Sequence, residues 1–235
     1  MQVEVDFFSG IRRLLSYHNI ISISGESGTG KTTLALQLIG KLLTYEEPYS
    51  DSCIWIQASE IFPVKRLTQI FQEQPRKFDY IQKNIYVIPP KNPIHTYEQQ
   101  GSIIQHIIGT PSEIPPTLKY IVIDNISHHL RYKLTHFSTP KDISIFLDAF
   151  YEIQLMPIIL FCQMNEIVLI LIHEVTYSPK LDKVRPFFYK LYDRIKTIDI
   201  VLSNIYNKEK KKMQINFNKK EWIIEYWLSN RGFIY

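Results

Sequence analysis

Residues Gly25-Glu26-Ser27-Gly28-Thr29-Gly30-Lys31-Thr32-Thr33 fit the pattern G-x-x-x-x-G-K-[ST], and their flanks restrict the fold more than any other feature. Ile20-Ile21-Ser22-Ile23-Ser24 before the loop is a short apolar, β-branched run of the kind that makes a buried strand. After it, Leu34, Leu36, Leu38, Ile39, Leu42 and Leu43 keep a helical spacing. Strand, glycine loop and helix in that order form a phosphate cradle. The glycines let successive N–H groups curl around an anion, and the helix start adds free donors and partial positive charge. In such a cradle Lys31 reaches the β- and γ-phosphates, and the Thr32 hydroxyl is a Mg²⁺ ligand. Glycine usage agrees: of 8 glycines in 235 residues, Gly25, Gly28 and Gly30 fall in this loop.

The rest of the chain continues the alternation. Residues 1–18 carry Phe7, Phe8, Ile11, Leu14 and Leu15 on an amphipathic lead-in helix. Apolar strands are expected at 53–56, 84–88, 120–124 and 167–172, with helices from Pro63 to about Gln74, over 97–108, over 140–152 and over 157–165. Pro140 and Pro157 each read as helix openers. Apolar strands alternating with helices predict an α/β fold, a mostly parallel twisted sheet with helices on both faces. Residues 198–202, 213–217 and 222–227 read as short C-terminal antiparallel strands at the sheet edge. With 45% hydrophobic residues and no low-complexity linker, the chain reads as a single domain over 1–235.

Function classes are bounded by the chain around the motif. The first residues have neither a basic n-region nor an apolar h-region, so no secretory signal is expected. The greasiest stretch, 153–172, is interrupted by Gln154, Pro157, Gln163, Asn165 and Glu166, which argues for a buried helix and strand over a membrane span. Cys53 and Cys162 lie in apolar runs and read as buried free thiols in a reducing, intracellular compartment. Charge is uneven: residues 1–179 carry 14 Lys and Arg against 17 Asp and Glu, whereas 180–235 carry 13 against 6. A basic C-terminal quarter is either a polyanion-facing surface or a solvated rim. His128, His129 and His136 do not make a metal set: adjacent histidines on a strand point to opposite faces, and no third ligand has the spacing.

Asp124 completes the site: a carboxylate at the C-terminal end of an apolar strand beside the phosphate loop supports Mg²⁺ directly or through water. With these residues in place a family resemblance becomes usable. Tyr120 to Arg131 (YIVIDNISHHLR) resembles the Walker B strand and adjoining segment of the RecA/RadA recombinase superfamily. Trp55 to Leu67 (WIQASEIFPVKRL) resembles the segment that family writes as YIDTEGTFRPERL. Asn84 to Val87 is similar to its next strand, and Glu166 to Val175 (EIVLILIHEV) to its strand ending in TNQV. Val184-Arg185-Pro186 is similar to the segment after TNQV. The segments occur in register over nearly the whole chain. The pattern is most similar to that of the core-only archaeal recombinase paralogues, with the eukaryotic paralogues as near relatives. The resemblance implies a RecA-like P-loop NTPase fold, ATP and Mg²⁺ as cofactors, and a role in recombination and DNA repair, cytoplasmic in an archaeon and nuclear in a eukaryote. It implies DNA, single-stranded by preference, and a recombinase or second paralogue subunit as partners, and no membrane.

Carried over to matching positions, the resemblance puts Arg66 against the adenine, where a planar guanidinium can cover a base face; otherwise Arg66 is an exposed helix residue. Three departures from the family pattern point to a protein that binds ATP but hydrolyses it poorly and does not build an active filament alone. The family's water-orienting glutamate falls on Ser59, with Glu60 one place along and on the opposite face if the strand continues that far. Its γ-phosphate-sensing glutamine is replaced by Glu174, with His173 before it; a carboxylate repels a triphosphate unless Mg²⁺ or a proton intervenes. The glycine pair of its DNA-binding loop is replaced by Phe187-Phe188-Tyr189 after Pro186. The candidate catalytic set is therefore Lys31, Glu60 and Glu174, with weak DNA-dependent hydrolysis expected.

For DNA, the candidates are Lys183, Arg185, Lys190, Arg194, Lys208, Lys210, Lys211 and Lys212, whose phosphate contacts would be sequence-independent and weaken with salt. Phe187, Phe188 and Tyr189 either stack on unpaired bases or pack in a core or interface. Two other function classes stay open. One is a regulatory module that binds nucleotide structurally and acts through a protein partner without DNA. The other is a small-molecule kinase, for which the sequence shows no lid or acceptor motif.

Overall fold

The computed structural model describes residues 2–44, 50–178, 183–206 and 209–235. Helix α1 (Gln2–Leu15) leads into β1 (Ile20–Gly25), the phosphate loop and α2 (Lys31–Leu42). Then come β2 (Ser52–Gln57), α3 (Val64–Ile70), α4 (Pro75–Asn84), β3 (Ile85–Ile88), α5 (Tyr97–Gly109), β4 (Leu118–Asp124) and α6 (His128–Leu134). Helix α7 (Pro140–Phe150) runs through a π-helical turn (Tyr151–Leu155) into α8 (Met156–Met164) and β5 (Val168–His173). A small hairpin of β6 (Val175–Ser178) and β7 (Lys183–Pro186), the turn α9 (Tyr189–Tyr192), and strands β8 (Ile198–Asn204), β9 (Lys211–Phe217), β10 (Lys220–Ser229) and β11 (Gly232–Ile234) close the chain.

Among the described residues nine strands form one sheet in the order β11-β10-β9-β8-β1-β5-β4-β2-β3. The six from β8 to β3 are parallel, and β9 to β11 are antiparallel. Every residue of β1 and β2 is buried, Ser22, Ser24, Ser52 and Gln57 included, as in a parallel sheet covered on both faces. Side-chain alternation still sorts them between two cores. Ile21 and Ile23 face α1 and α2, packing with Phe7, Phe8, Ile11, Leu34 and Leu38. Ile20, Leu169 and Leu171 face the other layer, with Ile104, Leu130 and Ile158. Each Leu or Ile so buried contributes roughly 1.5–3 kcal/mol. Helices thus cover both faces, as the alternation predicts.

Several expectations are corrected. Strand β8 is parallel, paired with β1, so only β9 to β11 are antiparallel additions. Pro157 opens no helix: 140–164 is one continuous helical run, and the π turn offsets the register just before the proline. By length and composition that run could cross a membrane, but Phe150, Leu155, Ile158, Ile159 and Cys162 pack it into the core. The helix after Pro63 ends at Ile70, and Pro75 begins a second one. His128 and His129 lie on helix α6, not on a strand.

Candidate functional site

Four neighbouring strands, in the order β1, β5, β4, β2, end at the same side of the sheet, and each delivers one part of the site. The loop after β1 supplies the glycines, Lys31 and Thr32; Glu174 comes after β5; Asp124 ends β4; Ser59 and Glu60 come after β2. All of these line one cleft of about 730 Å³, together with Asn125, Arg131 and Leu228.

The loop is held by its own backbone and by the far end of the chain. Gly28 and Gly30 have φ of +74° and +93°, values that Cβ-bearing residues rarely adopt. A Cβ on Gly30 would also stand 2.9 Å from Leu228 and 3.1 Å from Phe233. Thr29, fully buried, donates its hydroxyl to the Glu26 carbonyl at 2.8 Å, and its own carbonyl accepts the Tyr226 hydroxyl at 2.7 Å. The Lys31 ammonium donates to the carbonyls of Gly25 (2.8 Å) and Glu26 (3.0 Å). Burial lowers its pKa, opposed by the carboxylates of Asp124, Glu174, Glu60 and Glu26. The Glu26 carboxylate also accepts from Asn204 at 2.8 Å.

The Thr32 hydroxyl donates to the Asp124 carboxylate at 2.8 Å, 92 residues along the chain. Burial pushes the Asp124 carboxyl up to about 6, with the Thr32 hydrogen bond and Lys31 pulling down and Glu60 pushing up. A hydroxyl and a carboxylate oxygen in contact are the hard donors that Mg²⁺ prefers, so the residues present fit that ion. Among the described residues no group of three or more His, Cys, Asp or Glu could hold a metal.

Ser59 and Glu60 both line the cleft. The alternation that would have turned Glu60 away does not apply, because β2 stops at Gln57. Beyond it the backbone is pinned by Ala58 N–H and Ser59 N–H donating to the Asp124 carbonyl at 2.7 and 3.1 Å. Buried Gln57 accepts the Phe62 N–H at 2.7 Å and holds the end of that loop.

Glu174 is surrounded by donors: Asn125 Nδ2 at 3.1 Å, His128 Nδ1 at 3.5 Å and the Arg131 guanidinium. The His128 hydrogen bond first, then Asn125 and Arg131, hold its carboxyl down at about 2 against burial. Its backbone N–H donates to Ser127 Oγ at 3.0 Å. The repulsion expected from a carboxylate at this place is therefore offset by protein donors. Asn125, His128 and Arg131 do not stand out in the sequence as site residues. The i, i+3 spacing of His128 and Arg131, just past a strand ending in aspartate, is the signal that could have found them.

Arg66 does reach the loop, donating Nε to Thr33 Oγ1 at 3.0 Å. Its other nitrogens donate to the carbonyls of Ser229 (2.7 Å) and Asn230 (3.2 Å), so it also clamps the β10–β11 turn against the loop. The guanidinium faces, not its donors, are what a base would use.

The DNA candidates are dispersed. Arg185 lies over Tyr189 (4.5 Å); Arg194 pairs with Asp148 at 2.9 Å and covers Tyr151; Lys190 is exposed. Lys210 pairs with Glu225 at 3.0 Å and sits 4.4 Å over Trp227, and Lys211 donates to Asn204. Lys212 is on β9, Lys183 opens β7, and Lys208 lies outside the described residues. Phe187 and Phe188 form an edge-to-face pair at 4.2 Å.

A family model described as Novel STAND NTPase 3 matches residues 3–82, which include the phosphate loop. The DNA repair protein RAD57 of Saccharomyces cerevisiae is 29% identical over a match covering 57% of this chain. The chain spans only 30% of that protein's length. The crystal structure of the RadB recombinase superposes with a TM-score of 0.69 at 18% identity, covering 91% of this chain and 89% of that one. The fold is the RecA-like fold of RadB, and the chain is similar, in sequence as well as in fold, to the RecA/RadA recombinase superfamily.

Proposed function

We infer that this protein is an intracellular, ATP-binding RecA-family paralogue that assists recombination and DNA repair, with weak DNA-dependent ATPase activity. The observation that carries the reading is the contact of Thr32 with Asp124 at 2.8 Å beside Lys31, a phosphate cradle and a metal-supporting carboxylate brought together from distant sequence. Lys31 and the loop N–H groups from Gly25 to Thr33 would hold the phosphates, and Arg66 would lie beside the base. Thr32 and Asp124 would hold magnesium, which supplies charge neutralisation at the phosphate oxygens. Glu60, in the cleft on a loop, is the candidate to orient a water. Turnover is weak because Glu60 is displaced by one residue from the family position and Glu174 stands where the glutamine would. DNA or a recombinase partner would meet the basic segments at 183–194 and 208–212.

ATP hydrolysis measured with and without single-stranded DNA, at two salt concentrations, tests this. Slow hydrolysis stimulated by DNA supports it, with DNA affinity that falls with salt and is lost when Lys210, Lys211 and Lys212 become Glu. One observation favours a second reading, a nucleotide-binding interaction module without DNA: Lys210 and Arg194 already have carboxylate partners. Failure to bind single strands at low salt would select that reading.

A further inference from the structure

Arg131 lines the same cleft as Lys31, Thr32 and Asp124, yet no phosphate-binding motif includes it. Its guanidinium is paired with Glu174 and lies 5.6 Å over the Phe187 ring. Phe187 is in turn tied to the same place, its N–H donating to the Glu174 carbonyl at 2.8 Å. We propose that Arg131 is a clamp for the terminal phosphate of a bound nucleoside triphosphate, and that leaving Glu174 for that phosphate releases the Phe187-Phe188 segment. The inference rests on the nucleotide reading and adds to it the residue that tells a triphosphate from a diphosphate.

Three features make the exchange feasible. The Arg131 side chain is 56% exposed, on the short helix α6 next to the cleft, so it can swing without unpacking the core. Glu174 would not be stranded when it leaves, because Asn125 and His128 remain on its Oε1. A terminal phosphate carries more charge and more acceptor oxygens than one carboxylate, so it competes well for a planar guanidinium. Lys31 comes from the loop after β1, whereas Arg131 enters from the strand β4 side, so the two would reach a terminal phosphate from different elements. The pair also explains how a carboxylate can occupy this position in a phosphate site. Glu174 serves as the guanidinium's resting partner. The Phe187 ring, covered by the same guanidinium, would lose that contact when the arm moves.

The test compares affinities for Mg·ADP and Mg·AMPPNP by calorimetry in the native chain, Arg131→Ala, Arg131→Lys and Glu174→Gln. Removing one charge-assisted contact to the terminal phosphate is expected to weaken AMPPNP by about tenfold or more while ADP stays within about twofold. The Lys variant should recover part of the loss. Glu174→Gln, which frees the guanidinium, should strengthen AMPPNP by several-fold, and only when Arg131 is present. Phe187→Trp fluorescence should change with AMPPNP and not with ADP. The clamp is overturned if Arg131→Ala changes both nucleotides equally or neither. If the native chain binds neither nucleotide, the fault lies with the nucleotide reading itself.

Discussion

Asp124 and Glu174 sit at the ends of neighbouring strands and line one cleft, but the chain surrounds them in opposite ways. Asp124 is half-buried with the Thr32 hydroxyl on its carboxylate, and desolvation lifts its carboxyl to about 6 against the pull of Thr32 and Lys31. Glu174 is met by His128, Asn125 and Arg131, and its carboxyl falls to about 2. Asp124 has the Lys31 ammonium near it but a hydroxyl as its hydrogen-bond partner, whereas Glu174 has a guanidinium in direct contact. The difference bears on which of the two could take a cation from outside. On the function proposed above, Asp124 would take a metal that arrives with the nucleotide, and Glu174 would be the resting counter-charge of Arg131.

The comparison breaks most visibly at Asp124. Asp124→Asn keeps the shape and removes the charge, so Mg²⁺-dependent ATP affinity should fall on the order of 100-fold, about 2.7 kcal/mol. Binding measured with and without Mg²⁺ checks it: the variant should have lost the metal-dependent part and kept the rest.

Without ligand the same substitution should act in the opposite sense. Asp124 has a folded-state pKa raised from 3.8 to about 6, so its penalty is absent below pH 4 and grows as pH rises through 6. The Asn variant should therefore be more stable than the native chain at pH 7, by up to about 2–3 kcal/mol, and the gap should close by pH 4. Urea unfolding of both proteins across that range reads the effect directly.

Glu174 has the reverse sign. Its folded-state pKa is lowered from 4.5 to about 2, so it stabilises the fold above pH 4.5 and that contribution is lost as pH falls towards 2. Glu174→Gln should cost about 1 kcal/mol at pH 7, since the site is partly open to solvent and screened. A gain in apo stability for this variant would mean that its three donors do not act as described.

Two smaller effects sharpen the outline of the site. Tyr226→Phe removes the hydroxyl that bonds the Thr29 carbonyl and should cost about 1 kcal/mol in thermal unfolding, with ATP affinity falling only a few-fold. Lys210→Ala, which breaks an exposed pair with Glu225, should cost no more than about 0.5 kcal/mol.

Legibility in the sequence tracks the range of the interactions. The glycine loop, its flanking strand and helix, and Asp124 at a strand end are local patterns, and residue types alone mark them. The π turn before Pro157 and the parallel pairing of β8 carry no local signature: a short apolar strand looks the same in either direction. The support of the loop is the least visible part. Tyr226 meets Thr29, and Phe233 N–H meets Gln37, across nearly two hundred residues; only the folded sheet puts β10 and β11 over the loop. The sequence singles out Arg66 as a candidate beside the loop, but not as the clamp on the 229–230 turn, for the same reason. The helical placement of His128 is hidden because the apolar run of β4 gives no mark of where strand gives way to helix. The Glu174 cluster is hidden with it.

Mg·ATP titration of the native chain beside Lys31→Ala puts the central claim at risk most directly. The account predicts saturable binding by the native protein that requires Mg²⁺, and at least about tenfold weaker binding when the ammonium is removed. Equal affinity in the two proteins, or no binding to the native one, would contradict it.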